Sequence, residues 1–269
     1  MELQSRIDEL KARGLGIAAI SYDSPEVLAD FAARRGITFP LLSDTGSATI
    51  KAYGLLNTTT AAPGTTTWGI PYPGTFVLDR DGRVTARFFE QAYQDRNTVS
   101  SILVKLGKAP PHAGQETTTA HLRVRSYASD DALVPGRHVS LVADISPNAG
   151  IHVYAPGATG YRVVALAVDD AAGLTVRETG YPASEPYVFA PLNETVPVFK
   201  TPFRLTRDVV FQRLPPASPG ANGGSSITVT GRLEYQACDD RTCFNPVSVP
   251  LTWTFTAGAL DRERSSAKR

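Results

Sequence analysis

At 269 residues the chain is long enough for two domains, each with its own core. Its 27 basic and 26 acidic residues nearly cancel, so charge gives no reason to expect nucleic acid or an anionic membrane surface as partner. No run approaches the ~18 consecutive apolar residues of a membrane helix, so direct membrane insertion is not expected, and the charged start of the chain does not resemble a signal peptide.

Residues 1–108 alternate helical and extended patterns. Leu3, Ile7 and Leu10 recur at helical spacing, and Gly14 and Gly16 follow as stop signals. Residues 17–20 (Ile-Ala-Ala-Ile) read as a buried strand. Ser24-Pro25-Glu26 supplies an N-cap, a first-turn proline and an early acid for a helix running through Val27, Leu28 and Phe31. Residues 46–53 suggest a further short helix. Beyond a Thr/Gly/Pro-rich loop, residues 74–79 and 84–89 read as two strands joined by Arg80-Asp-Gly82, a hairpin signal, and residues 97–106 as a closing helix. This alternation predicts an α/β unit.

Residues 109–118 are polar and rich in Pro, Gly and Thr, as in a linker. From 119 to 257 the pattern changes to short strands at 122–125, 138–143, 161–166, 227–230 and 247–255, separated by Pro and Gly clusters. An antiparallel β-sandwich is expected there. Residues 215–226 read as a low-complexity loop and 258–269 as a flexible tail.

The only two cysteines, Cys238 and Cys243, stand in Tyr235-Gln-Ala-Cys-Asp-Asp-Arg-Thr-Cys-Phe-Asn-Pro246. A bridge closing six residues stabilises by about 2 kcal/mol, against roughly 4 for one closing sixty, so this pair is a poor staple and a better candidate for a dithiol that opens and closes. Exchange proceeds by thiolate attack through a mixed disulfide, so one of the two must be reachable. Asp239 and Asp240 raise a neighbouring thiol pKa and Arg241 lowers it, so the local charges oppose one another. The competing reading is a static surface disulfide. The four histidines, His112, His121, His138 and His152, lack ligand-like spacing, so no metal is expected. Asp79 and Asp81 flank a hairpin turn and need no catalytic role. Neither a G-x-S-x-G nucleophile motif nor a phosphate loop is present, and no cofactor is expected.

Gly16-Ile-Ala-Ala-Ile-Ser-Tyr-Asp23, Phe39-Pro-Leu-Leu-Ser-Asp44, Ala52-Tyr-Gly54 and Gly69-Ile-Pro-Tyr-Pro-Gly-Thr-Phe-Val-Leu-Asp-Arg-Asp-Gly82 resemble the thioredoxin-like redoxins of the peroxiredoxin (AhpC/TSA) type, over residues 1 to 107. The resemblance puts Pro73 in the place of the family's cis-proline. It also implies that the chain begins inside the helix whose start carries the family's reactive cysteine, so that the preceding strand and that cysteine are missing. Residues 1–237 contain no cysteine. The expectation is an incomplete thioredoxin-like domain, from a truncated reading of a longer exported protein, with two inner strand edges left unpaired.

Gly150-Ile-His-Val-Tyr-Ala-Pro156, Tyr187-Val-Phe-Ala-Pro191 and the cysteine segment resemble the amino-terminal periplasmic domain of the membrane reductase DsbD, over residues 119–257. The resemblance implies an immunoglobulin-like sandwich whose cysteine pair takes electrons from a membrane-embedded donor and hands them to thioredoxin-like proteins in the periplasm. By motif position Cys243 joins to partners and Cys238 resolves the mixed disulfide. Phe189, within residues 187–192, corresponds to an aromatic cap over the pair, and Tyr154 and His152 correspond to positions lining the site. The function expected is thiol–disulfide exchange through Cys238 and Cys243. The alternatives are a non-catalytic binding module with a fixed disulfide beside an inactive redoxin scaffold, and a peroxiredoxin remnant whose reactive cysteine lies in a missing segment.

Overall fold

The computed structural model describes residues 2–57, 70–89, 95–109, 113–189, 194–219 and 225–259. The chain divides into one unit ending at Ile102 and a second, Leu103–Ala259. The Thr/Gly/Pro-rich loop, the middle of the expected linker with His112, the far end of the 187–192 segment, the middle of the 215–226 loop and the tail lie outside the described residues.

The first unit runs α1 (Glu2–Ser5), α2 (Ile7–Ala12), β1 (Ala19–Ser21), α3 (Pro25–Arg35), β2 (Leu41–Ser43), α4 (Ala48–Ala52), β3 (Gly74–Leu78), β4 (Val84–Phe89) and β5 (Arg96–Asn97), and α5 (Val99–Lys105) follows. Helix α3 starts where the sequence signals it: the Ser24 hydroxyl accepts from Val27 N–H, Pro25 fills the first turn, and Gly36 closes the helix at φ 60°, a left-handed conformation glycine adopts without penalty. At the β3–β4 turn Asp79 Oδ1 accepts from the amides of Asp81 and Arg83, and Gly82 takes φ 80°. Asp79 is therefore a turn-former.

Strand β1 pairs in parallel with β2, and β3 pairs antiparallel with β4, as two separate two-stranded sheets. Among the described residues no strand joins them. Ile20, Leu42, Leu78 and Val84 are exposed on these ribbons. Among the described residues no peptide bond is cis, so Pro73, expected in the place of a cis-proline, follows a trans bond. Trans is the favoured isomer of an X-Pro bond unless surrounding structure imposes the other.

The second unit contains β6 (Gln115–Thr118), β7 (Leu122–Ala128), β8 (Ala132–Leu133), β9 (Arg137–Pro147), β10 (His152–Tyr154), β11 (Ala165–Val168), β12 (Leu174–Gly180), β13 (Glu185–Phe189), β14 (Glu194–Phe199), β15 (Phe203–Phe211), β16 (Ser218–Pro219), β17 (Ser225–Tyr235), β18 (Ala237–Cys238) and β19 (Val247–Ala257). One sheet has the order β12-β15-β9-β7-β6, a second β11-β17-β19-β8, and a third β13-β14-β10-β18. Gln115–Thr118, read as linker from its composition, forms an edge strand on β7 instead. Its paired threonines suit an extended edge.

Period-two burial builds the core. In β19, Val249, Leu251, Trp253 and Phe255 point inward, while Ser248, Pro250, Thr252 and Thr254 point out. Their partners on β17 include Leu233, Gly231, Val229 and Ile227. A Cβ at Gly231 would collide with the Ala167 carbonyl oxygen, which explains a glycine in mid-strand. These side chains join Val139, Leu141, Ala143 and Ile145 of β9 and Leu205 and Val209 of β15 in one continuous cluster, so two sheets share one core. No helix among the described residues is long and apolar enough to cross a membrane.

Candidate functional site

The sheet β13-β14-β10-β18 carries the cysteines. In β10, His152 is the register partner of Cys238 and Val153 that of Ala237. The chain then reverses between the two cysteines: Phe244 N–H donates to the Ala237 carbonyl at 2.8 Å, and Asp239 N–H donates to the Thr242 carbonyl at 3.0 Å. Asp239 Oδ1 accepts from the amides of Arg241 and Thr242, which hold its carboxyl below the usual range. Five-residue spacing thus becomes a capped turn with the cysteines facing across it, Cα atoms 4.1 Å apart, and they are joined as a disulfide.

The two sulfurs have different environments. Cys238 is 1 % exposed, whereas Cys243 is an exposed residue at the mouth of a cleft. The cleft is lined by His152, Tyr154, Tyr187, Phe189 and Val196, among others. The Tyr154 hydroxyl contacts both sulfurs, at 3.1 Å from Cys238 and 3.3 Å from Cys243. Burial first, then Tyr161 and Glu194, push the Tyr154 phenol well above its ordinary value. It therefore stays a hydrogen-bond donor across the physiological range.

Tyr161 stacks on Tyr154 at 4.0 Å between ring centres and donates its hydroxyl hydrogen to Glu194 at 2.8 Å. His152 stands edge-on to Tyr154 and lies against Tyr187 at 4.3 Å, and the Tyr187 hydroxyl donates to Asp240. Burial lowers the His152 pKa; Asp240 and Asp239 oppose this, and Lys200 adds to it.

All five residues singled out by the cysteine-domain motifs, Cys238, Cys243, Tyr154, His152 and Phe189, come together here. Phe189 lines the same cleft as both cysteines. Pro73 belongs to the other unit. The sequence reading missed Tyr161 and Glu194 and did not give Tyr187 a role of its own. The Ala-Pro-Gly-Ala-Thr-Gly turn that follows Tyr154 and returns Tyr161 to it was the available signal for the first.

A family model described as the AhpC/TSA family matches residues 1–87. Two Mycobacterium tuberculosis proteins named as peroxiredoxins are 35 % identical over 83 residues, covering 31 % of this chain and 52 % of theirs. Peroxiredoxin Bcp of Escherichia coli K12 is 32 % identical over 115 residues, covering 41 % of this chain and 67 % of the relative. The chain thus spans about half the length of the mycobacterial relatives. Among solved structures, the amino-terminal periplasmic domain of ScsB from Proteus mirabilis aligns at TM-score 0.36 and 13 % identity, covering 52 % of this chain and 51 % of that one. The Neisseria meningitidis DsbD amino-terminal domain aligns at TM-score 0.28 and 12 % identity, covering 44 % and 82 %. On the family match over residues 1–87 and the span shared with Bcp, the chain belongs, through its amino-terminal part, to the AhpC/TSA family of redoxins.

Proposed function

We propose that the Leu103–Ala259 unit, read as an immunoglobulin-like sandwich, performs thiol–disulfide exchange through Cys238 and Cys243 with thioredoxin-like partners. The observation that carries this reading is the asymmetry of the pair: Cys243 is exposed at a cleft mouth, while Cys238 is buried against a tyrosine hydroxyl. A partner thiolate attacks Cys243 Sγ, the Cys238–Cys243 bond breaks, and Cys238 leaves with its electron pair as a thiolate that the Tyr154 hydroxyl stabilises. A second partner thiol then attacks the mixed disulfide and leaves this chain reduced and the partner oxidised, a two-electron transfer that runs equally in reverse.

On this reading the chain works in an oxidising compartment, the periplasm, receiving electrons from a membrane-embedded donor and passing them to thioredoxin-like proteins. The first unit, which has no cysteine, serves as scaffold.

Because the chain has only two cysteines, its redox titration reports this pair directly. A potential above about −270 mV in dithiothreitol or glutathione buffers, with a thioredoxin-like protein captured by Cys238→Ser, supports exchange. A potential well below about −300 mV with no captured partner would leave a fixed disulfide in a binding module.

A further inference from the structure

His152 is a buried titratable side chain at the site to which the exchange cycle above gives no task. Resting on that cycle, we propose that His152 is the base that accepts the Cys238 proton when Cys238 attacks Cys243 and releases a bound partner.

Three observations carry this. First, His152 and Cys238 are register partners on adjacent antiparallel strands. Such partners place their Cβ atoms about 4.5–5.5 Å apart on one face, within reach of a ring nitrogen and a thiol. Second, both line the same cleft, and the imidazole is held there between Tyr187 and, in a T-shaped contact, Tyr154. Third, the hydroxyl that touches both sulfurs is no base, because Tyr154 already holds its own proton firmly. Around His152 stand Asp239, Asp240 and Arg241 from the cysteine turn, Tyr187 from β13, Tyr154 from its own strand, and Lys200 just beyond β14. Burial outweighs the two carboxylates and keeps the ring below its ordinary pKa, hence neutral, with a nitrogen lone pair free to accept a proton, at neutral pH.

The step balances without an outside reagent. The Cys243–partner disulfide breaks as the Cys238–Cys243 bond forms. The partner sulfur leaves with the electron pair of the broken bond, and the Cys238 proton passes to the imidazole.

The test uses the reduced full chain and dithionitrobenzoate, an aromatic disulfide that reacts first at the exposed thiol. One coloured thiolate is released as the reagent joins Cys243, and a second as Cys238 resolves the mixed disulfide. In the native chain the second phase should level off above the imidazole range, whose ordinary midpoint is about 6.5 and is lower here. In His152→Phe, which keeps an aromatic ring against Tyr187, that phase should instead climb about tenfold per pH unit up to the ordinary thiol range near 8.5. Near pH 7 it should be slower by at least about tenfold, and the two profiles should converge in alkali. His152→Gln, polar but unable to titrate, should behave as the phenylalanine variant does.

Superimposable profiles for native and variant chains, or a native phase that climbs to the thiol range, would overturn the proposal while leaving exchange intact. A native chain that releases the first thiolate and never the second would instead remove the exchange cycle on which the proposal rests.

Discussion

The Tyr154 hydroxyl lies 3.1 Å from the Cys238 sulfur, with both residues almost wholly buried. A protonated phenol in that position discriminates between redox states, because it donates more strongly to a thiolate than to a neutral sulfur. Hydrogen bonds to charged groups contribute about 1.5–3 kcal/mol, and one pKa unit corresponds to about 1.4 kcal/mol. In a Cys243→Ser background, Tyr154→Phe should therefore raise the Cys238 thiol pKa by about one unit or more, read from the pH dependence of its alkylation. An unchanged pKa would show that the hydroxyl does not serve the thiolate.

The unequal exposure of the two cysteines should persist on reduction, since strand pairing and not the disulfide alone buries Cys238. Brief treatment of the reduced chain with iodoacetamide should label Cys243 in preference to Cys238 by at least about tenfold, as peptide mass spectrometry would measure. Equal labelling would remove the structural basis for assigning the attacked sulfur.

How much of this was legible beforehand depended on the range of the interactions. The Ser24-Pro25 helix start, the Asp79–Gly82 turn and the inward alternation of β19 are written in neighbouring residues, and the structure follows them. Cys238 and Cys243 were conspicuous for the same reason. Tyr161 and Glu194 were not, because their roles depend on ring stacking and a hydrogen bond made 33 residues apart. Gln115–Thr118 misled in the opposite sense: its composition suits a linker, and only the open edge of β7 makes it a strand.

Phe244 anchors the turn from behind. Its amide donates to Ala237, its ring packs on the main core cluster, and it lies 4.4 Å from the His121 ring. Phe244→Ala should lower stability by about 2–3 kcal/mol in urea denaturation. It should also speed reduction of the disulfide by dithiothreitol, since the loosened turn exposes Cys238 to attack as well as Cys243. Loss of stability with an unaltered reduction rate would separate core packing from control of the pair.

Asp208 offers a pH test of the Leu103–Ala259 unit itself. Facing Ser140 across the β15–β9 ladder, it accepts the Ser140 hydroxyl at 2.6 Å, pairs with Lys105 and lies 3.9 Å from His138 Nδ1. Burial alone would raise its carboxyl, but hydrogen bonds from His138, Lys105 and Ser140 and the charge of Lys105 outweigh that and hold it below the ordinary range. A carboxyl depressed on folding contributes stability above its unfolded pKa, and that contribution fades as pH falls from the ordinary carboxylate value through the folded one. Asp208→Asn should cost about 3 kcal/mol at neutral pH, because it removes one member of a largely buried charge pair. Urea denaturation at successively lower pH should show the gap between native and variant narrowing once the ordinary carboxylate pKa is passed. A gap that stays constant with pH would assign the effect to packing around the side chain and not to its charge.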